Sequence, residues 1–176
     1  MHARLGSPPP VDNRVHSKGG ERDHGADSNI PESGVQGNGE NFMYEGGCLC
    51  GAVRFEIAGP IRNIVYCHCS RCRKAQGSAF ATNGIVAAGD LSITSGADEL
   101  TVYESMPGKT KHFCRVCGSP IASKNAADPE SVRVRIGTID SVIAERPMAH
   151  IFATSKAEWE QICDDLPQYP SYEPGR

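Results

Sequence analysis

The chain has 176 residues, of which 39% are apolar and eight are cysteines, and its formal net charge is −3. This length suits one domain with a sizeable core, and the weak negative charge argues against a nucleic-acid partner or a membrane surface. The first ten residues lack the apolar run of a secretory signal and no stretch reaches transmembrane length, so we expect a cytoplasmic protein.

Residues 1–42 are rich in Gly, Pro, Ser and Asn with scattered charges, and they contain almost no paired apolar residues. Such a segment cannot bury enough surface to offset its ordering entropy, so we expect a disordered N-terminal extension. It is either an appended or mis-started segment or a genuine tail. We expect one patterned domain over residues 43–170 and a loose C-terminal tail over residues 171–176.

Short segments with β-type patterning, separated by Gly and Asp, follow in the chain. Strands are predicted around residues 53–57, 64–66, 79–82, 85–87, 91–94, 100–103, 111–113, 121–123 and 132–136. Residues 70–76 are predicted to form a short helix closed by Gly77, and the capping-box spacing of residues 155–158 predicts a brief helix that carries Trp159. The pattern therefore predicts a mostly β fold of short antiparallel strands with one or two short helices, and it leaves sandwich and barrel open.

Seven of the eight cysteines lie in three tight clusters. The clusters are Cys48 and Cys50, then Cys67, Cys69 and Cys72, then Cys114 and Cys117. Thiolates one to three residues apart can converge on a soft cation, and Zn²⁺ is the usual occupant of such sites. In a cytosolic chain this reading is favoured over disulfides because thiols there stay reduced. The sequence thus predicts a single small zinc-bound domain.

There is only one way to fill two metal sites without splitting a cluster. The two pairs make a site with four thiolates, and the triplet makes a second site with three. Four ligands close a tetrahedral structural site, whereas three ligands and an open position are typical of a zinc that does chemistry. We therefore expect two Zn²⁺ per chain, one structural and one catalytic.

Two other uses of the cysteines stay open at this point. Cys69 with Cys72, or Cys114 with Cys117, has the spacing of a redox pair, although the extra Cys67 and the absence of a βαβ pattern argue against thioredoxin chemistry. All seven cysteines could also serve structural zinc, with His68 or His112 as an eighth ligand. The remaining cysteine near the C-terminus, Cys163, is expected to be a free buried thiol.

Three thiolates leave a Zn²⁺ centre with a formal charge of −1, which makes it a weak activator of water. Such a centre is better suited to bind a thiol and deprotonate it, so the charge favours a thiol that attacks a small electrophile. Arg71, Arg73 and Lys74 surround the triplet and could hold substrate carboxylates, or they could form a solvated cationic turn.

Three stretches resemble the glutathione-dependent formaldehyde-activating enzyme family, which also includes centromere protein V. They are residues 46–55 (GGCLCGAVRF), 66–74 (YCHCSRCRK) and 113–120 (FCRVCGSP). The tail is similar too, through residues 137–140, 150–152, 155–157 and 164–167 and through Trp159. The resemblance spans residues 43–170.

The resemblance implies a β-rich fold with two zinc ions and the same division of the cysteines. It also implies a carbon–sulfur lyase-type activity that condenses glutathione with formaldehyde to S-(hydroxymethyl)glutathione. The alternative function is a non-catalytic, zinc-stabilised protein-interaction module, which requires a fourth protein ligand at the triplet and an exposed apolar patch. We expect Trp159 to pack in the core and His68 to support its cysteine neighbours, and His150 is open between a structural role and a place beside the catalytic metal.

Overall fold

The computed structural model describes residues 42–174, which form eleven strands and one α-helix. The strands are β1 (Tyr44–Gly47), β2 (Arg54–Ile57), β3 (Arg62–Cys67), β4 (Ala81–Ala87), β5 (Leu91–Ser95), β6 (Leu100–Met106), β7 (Lys109–Cys114), β8 (Pro120–Asn125), β9 (Asp128–Arg135), β10 (Ala149–Ile151) and β11 (Gln168–Tyr169). The helix α1 spans Ser70–Gln76. The predicted N-terminal extension lies outside the described residues except for its last one, Phe42.

The strands form two sheets within the described residues. A three-stranded sheet has the order β1-β2-β5, and an eight-stranded sheet has the order β11-β10-β3-β4-β9-β8-β7-β6. All pairs are antiparallel except those of β10, which runs parallel to both β3 and β11. The predicted mostly β fold is therefore confirmed. No helix in residues 42–174 has the length and apolar character that crossing a bilayer requires.

Strand β9 shows how the alternating sequence places side chains on both faces of the larger sheet. Val132 and Val134 are fully buried in the main core, together with Phe55 of the smaller sheet. Arg133 and Arg135 alternate with these valines and therefore lie on the opposite face. One face of the sheet covers the core, and the other carries cationic side chains.

The helix α1 begins and ends where the sequence predicts. Cys69 is its N-cap and accepts a hydrogen bond from the backbone N–H of Cys72, 3.4 Å away. Gly77 closes the helix in the left-handed conformation, and its N–H donates to the carbonyl of Arg73. The C-terminal cap was therefore predicted correctly, whereas the capping role of Cys69 was not part of the prediction.

Three predictions about this part of the fold are wrong. The segments 79–82 and 85–87 are not separate strands, because β4 runs through the intervening residues and pairs with β9 at Asn83 and Gly84. The capping-box spacing at Ser155 does not start a helix, since Ser155 ends the short 3₁₀ helix Ala153–Ser155. Trp159 follows in a turn, and it is 72% exposed rather than packed in the core.

Gly96 has both a left-handed backbone (φ +68°) and no room for a side chain, because an added Cβ would lie 1.9 Å from the carbonyl oxygen of Ala52. Gly77 has a similar φ of +64°, with nothing within 4 Å of an added Cβ. Replacing Gly77 with alanine should cost about 1–2 kcal/mol through backbone strain alone. We expect Gly96→Ala to cost clearly more in urea unfolding, and equal costs would contradict the steric argument.

Candidate metal centres and the adjoining cavity

Four cysteines from two distant loops form a compact group of sulfur atoms, here called the four-cysteine site. Its members are Cys48, Cys50, Cys114 and Cys117, whose Sγ atoms all lie within 4.8 Å of one another. The Sγ of Cys50 lies 3.5 Å from that of Cys48 and 3.8 Å from that of Cys114. A tetrahedral zinc with Zn–S bonds of about 2.3 Å places its sulfurs about 3.8 Å apart. The group therefore has the dimensions of a closed zinc site.

The two loops owe their shape to glycines and backbone hydrogen bonds. Gly51 and Gly118 both have φ +77°, the left-handed conformation that glycine accepts without steric cost. Their N–H groups donate to the carbonyls of Cys48 and Cys114 over 3.0 and 2.8 Å. The N–H of Val53 donates to the Sγ of Cys48 over 3.2 Å, as backbone donors do around metal-bound thiolates.

The second group, the three-cysteine site, is formed by Cys67, Cys69 and Cys72, whose Sγ atoms lie within 4.8 Å of one another. Cys67 ends β3, and the other two belong to the cap and first turn of α1. No histidine, aspartate or glutamate of the described residues joins this group. Neither His68 nor His112 has a ring nitrogen within 4.8 Å of all three sulfurs, as the fully structural interpretation needs.

The close contact of these three sulfurs makes their charges interdependent. Hydrogen bonds from the thiols of Cys67 and Cys72 lower the pKa of Cys69 to about 2. The contact with Cys69 raises the pKa of Cys67 in turn. Cys69 is therefore the first of the three thiols to ionise. Three thiolates can coexist here only when a cation neutralises them. This donor set suits a soft divalent cation such as Zn²⁺.

A cavity of about 330 Å³ adjoins the three-cysteine site, and all three of its cysteines line the cavity. Among residues 42–174, no aspartate or glutamate lines it, whereas six cationic side chains do: Arg71, Lys109, Lys111, Lys124, Arg133 and Arg135. We call it the cationic cavity. Its size is that of a small-molecule site, and its charge suits an anionic ligand.

The sheet explains most of this charge. Ser123 on β8 pairs with both Lys111 on β7 and Arg133 on β9, so the three side chains share one face. Lys109 and Arg135 lie two residues from these cations and face the same way. Sequence reasoning missed all four cations on β7 and β9, although their i, i+2 spacing was a usable signal.

The cations that were predicted next to the triplet have different positions. Arg71 lines the cationic cavity, as the sequence suggested. Arg73 instead donates from Nε to the backbone carbonyl of His68 over 3.2 Å. Lys74 lines a neighbouring cavity of about 620 Å³, which shares Arg71 and Arg135 with the first.

Two buried histidines and a carboxylate form a hydrogen-bonded chain behind the three-cysteine site. His68 Nε2 lies 2.8 Å from His150 Nδ1, and His150 Nε2 lies 3.0 and 3.1 Å from the carboxylate oxygens of Asp164. His68 and His150 are 0% and 3% exposed, and neither lines the cationic cavity. His150 therefore supports His68, which lies between Cys67 and Cys69 in the sequence. The role of Asp164 was not visible in the sequence.

Replacing Asp164 with asparagine is expected to lower the melting temperature by about 2–5 °C, because the charge-assisted bond to His150 is lost. The N–H of Leu166 and then His150 hold the pKa of Asp164 below its usual value. The stabilising charge is thus present above the ordinary aspartate pKa and is lost as the pH falls through the lowered one. Thermal unfolding at neutral pH measures the effect. Asp165→Asn, at an exposed neighbour, is the matched control, and equal shifts would contradict the role of this chain.

Cys163 is exposed and belongs to neither group, so the prediction of a buried thiol is wrong. It follows the irregular segment after Trp159, where no strand or helix carries side chains inward. All eight cysteines lie within the described residues, and none forms a disulfide.

Comparisons with known proteins find one family and several relatives. A family model described as glutathione-dependent formaldehyde-activating enzyme matches residues 43–155. A protein of Halomonas elongata that carries this enzyme name is 30% identical over 129 residues, which is 69% of this chain and 82% of that protein. A protein of Fusarium vanettenii with the same name is 30% identical over 71 residues, covering 40% of this chain and 38% of the relative.

A protein of Rhodobacter sphaeroides with a known crystal structure is 30% identical in sequence. Its match covers 57% of this chain and 91% of that protein, with a TM-score of 0.46.

Proposed function

Because the chain belongs to the glutathione-dependent formaldehyde-activating enzyme family, we propose that it is a zinc-dependent enzyme of the carbon–sulfur lyase type. Its reaction condenses a thiol such as glutathione with formaldehyde or a related aldehyde. The observation that carries the proposal is the contact between the three-cysteine site and a cavity lined by six cations. We further propose that it works in the cytoplasm, where its thiols stay reduced.

The seven cysteines would hold two zinc ions in different ways. Cys48, Cys50, Cys114 and Cys117 supply all four ligands of a closed structural site. Cys67, Cys69 and Cys72 supply three, which leaves one position for a substrate. A zinc ion held by these three would bind the thiol of the substrate and favour its deprotonated form.

The cationic cavity would bind and orient the thiol substrate. Glutathione carries two carboxylates, and arginine and lysine side chains hold such groups through charge-assisted hydrogen bonds. Lys111 and Arg133 face the cavity from the two strands that flank Ser123 on β8, so they can hold carboxylates while the thiol reaches the cysteines. The same cations offset the negative charge of three thiolates. Binding here places the thiol next to the aldehyde and thereby lowers the entropic barrier.

The proposal is tested by mixing the zinc-loaded protein with formaldehyde and glutathione at neutral pH. The rate of adduct formation is measured by NMR against the spontaneous rate, which is appreciable. We expect a rate that increases in proportion to enzyme concentration and returns to the spontaneous rate after the metal is removed. An enzyme that never exceeds the spontaneous rate with formaldehyde or with related aldehydes would refute the proposal.

The non-catalytic alternative predicts a fourth protein ligand that closes the second metal site. No histidine, aspartate or glutamate of residues 42–174 lies within reach of Cys67, Cys69 and Cys72 together. The sulfurs border a charged cavity instead. These features favour the enzyme over a protein-interaction module.

A further inference from the structure

Arg135 is a buried cation whose hydrogen-bonding capacity is only partly used. Its side chain lies at the end of β9, and the residue is 3% exposed. Nη1 donates to the Oδ1 of Asn83, which is directly opposite on β4. Nε is buried and has no hydrogen-bond partner among the described residues. The Nε donor of this buried cation therefore has no partner in the described part of the chain, and the Arg135 side chain lines the cationic cavity.

Burying a guanidinium that has no anionic partner is costly. Proteins retain such a group mainly where it binds an anion. No carboxylate of the part of the chain that the structure describes lines the cavity that Arg135 faces. Burial lowers the pKa of Arg135, and the negative charges of Cys72 and Cys67 oppose this effect. Arg135 lines the same cavity as Cys67, Cys69 and Cys72, and no acceptor for its Nε is found among residues 42–174.

Asn83 fixes the guanidinium in place. Its Nδ2 donates to the backbone carbonyl of Ala81 over 3.2 Å, so its Oδ1 is directed to Arg135. Ala81 pairs with Cys67, which connects this arrangement to the metal ligands through one strand. The donor is therefore preorganised within the sheet, as donors that stabilise developing charge must be.

We propose that Arg135 is a catalytic residue that binds the aldehyde oxygen while this atom becomes negative. The proposal rests on the proposed function. In that reaction the thiolate sulfur forms a bond to the aldehyde carbon, and the electron pair of the C=O π bond moves to the oxygen. The guanidinium of Arg135 stabilises the resulting alkoxide, which then takes up a proton equivalent to the one that the thiol lost. Asn83 acts as a positioning residue.

The test uses the zinc enzyme with Arg135→Lys and Arg135→Gln and measures kcat and KM separately. Losing one such donor lowers kcat by about 10²–10³-fold in other enzymes. We expect a loss of this size for Arg135→Gln and at least tenfold for Arg135→Lys, because an ammonium lacks the planar fork. Arg133→Gln, on the same face, should instead raise the KM for glutathione. If Arg135→Gln does not fold, the kcat values of Arg135→Lys and Asn83→Ser test the proposal instead.

Spectra of the cobalt-substituted enzyme distinguish stabilisation of the alkoxide from neutralisation of the thiolate charge of the three-cysteine site. We expect Arg135→Lys to show the wild-type spectral change on addition of glutathione despite its lower kcat. A spectral change lost in parallel with kcat would assign Arg135 to the metal site, and a wild-type kcat would also overturn the inference. A wild-type enzyme without activity would overturn the proposed function and this inference together, whereas an active wild type with an equally active Arg135→Lys would overturn the inference alone.

Discussion

Replacing Cys114 with serine is expected to unfold the protein. Cys114 is 0% exposed, and its sulfur lies in the four-cysteine site that connects the loop after β1 with the loop after β7. A structural zinc contributes about 10–16 kcal/mol to folding in peptide systems. A domain of this kind is stable by only about 5–15 kcal/mol. We therefore expect the loss of the native circular dichroism spectrum and of both zinc ions.

Cys163→Ser is the control for this experiment, because Cys163 is exposed and lies outside both groups of sulfurs. It should keep the wild-type melting temperature and metal content. A strong chelator should unfold the wild type in the same way as the Cys114 substitution does. A folded Cys114→Ser protein with an unchanged melting temperature would show that the four-cysteine site is not structural.

Replacing Cys69 with serine is expected to abolish the proposed activity while the fold is kept. Serine is a preferred N-cap, so the first turn of α1 should survive the substitution. The three-cysteine site would lose one of the three sulfurs that form it. Adduct formation should fall to the spontaneous rate, and the zinc content should fall from two to one per chain.

Circular dichroism and metal analysis of Cys69→Ser distinguish this result from unfolding. The variant should keep the native spectrum and one zinc, unlike Cys114→Ser. If Cys69→Ser kept the wild-type rate of adduct formation, the catalytic centre would have to lie elsewhere. If it kept both metal ions, the assignment of Cys69 as a ligand would be wrong.

The local features of the fold were predictable because the residues that set them are adjacent in sequence. Cys69 and Gly77 fix the ends of α1, and the spacing of the cysteines fixes which sulfurs can share a metal. Gly51 and Gly118 mark the tight turns of the four-cysteine site. Short-range geometry of this kind is visible in a single sequence.

The remaining parts depend on contacts between distant segments. Strand β10 has three residues, all buried, so it lacks the alternation that reveals a strand, and its parallel pairing with β3 joins residues more than eighty positions apart. The cationic cavity likewise draws its charges from α1 and three strands, which no local pattern brings together. Trp159 was misplaced because its apolar character suggested burial, whereas a turn holds it in solvent.

The parallel pairing of β10 with β3 also implies an order of events during translation. The chain contains every one of the seven clustered cysteines once residue 117 has been made, whereas the N–H of His68 must wait for the carbonyl of Ile151. All the proposed zinc ligands are therefore synthesised before the part of the cavity wall that contains Ile151 and Phe152. If the proposed function is right, metal binding is possible before the substrate site is shaped, so we expect a chain truncated near residue 140 to bind zinc without the proposed activity.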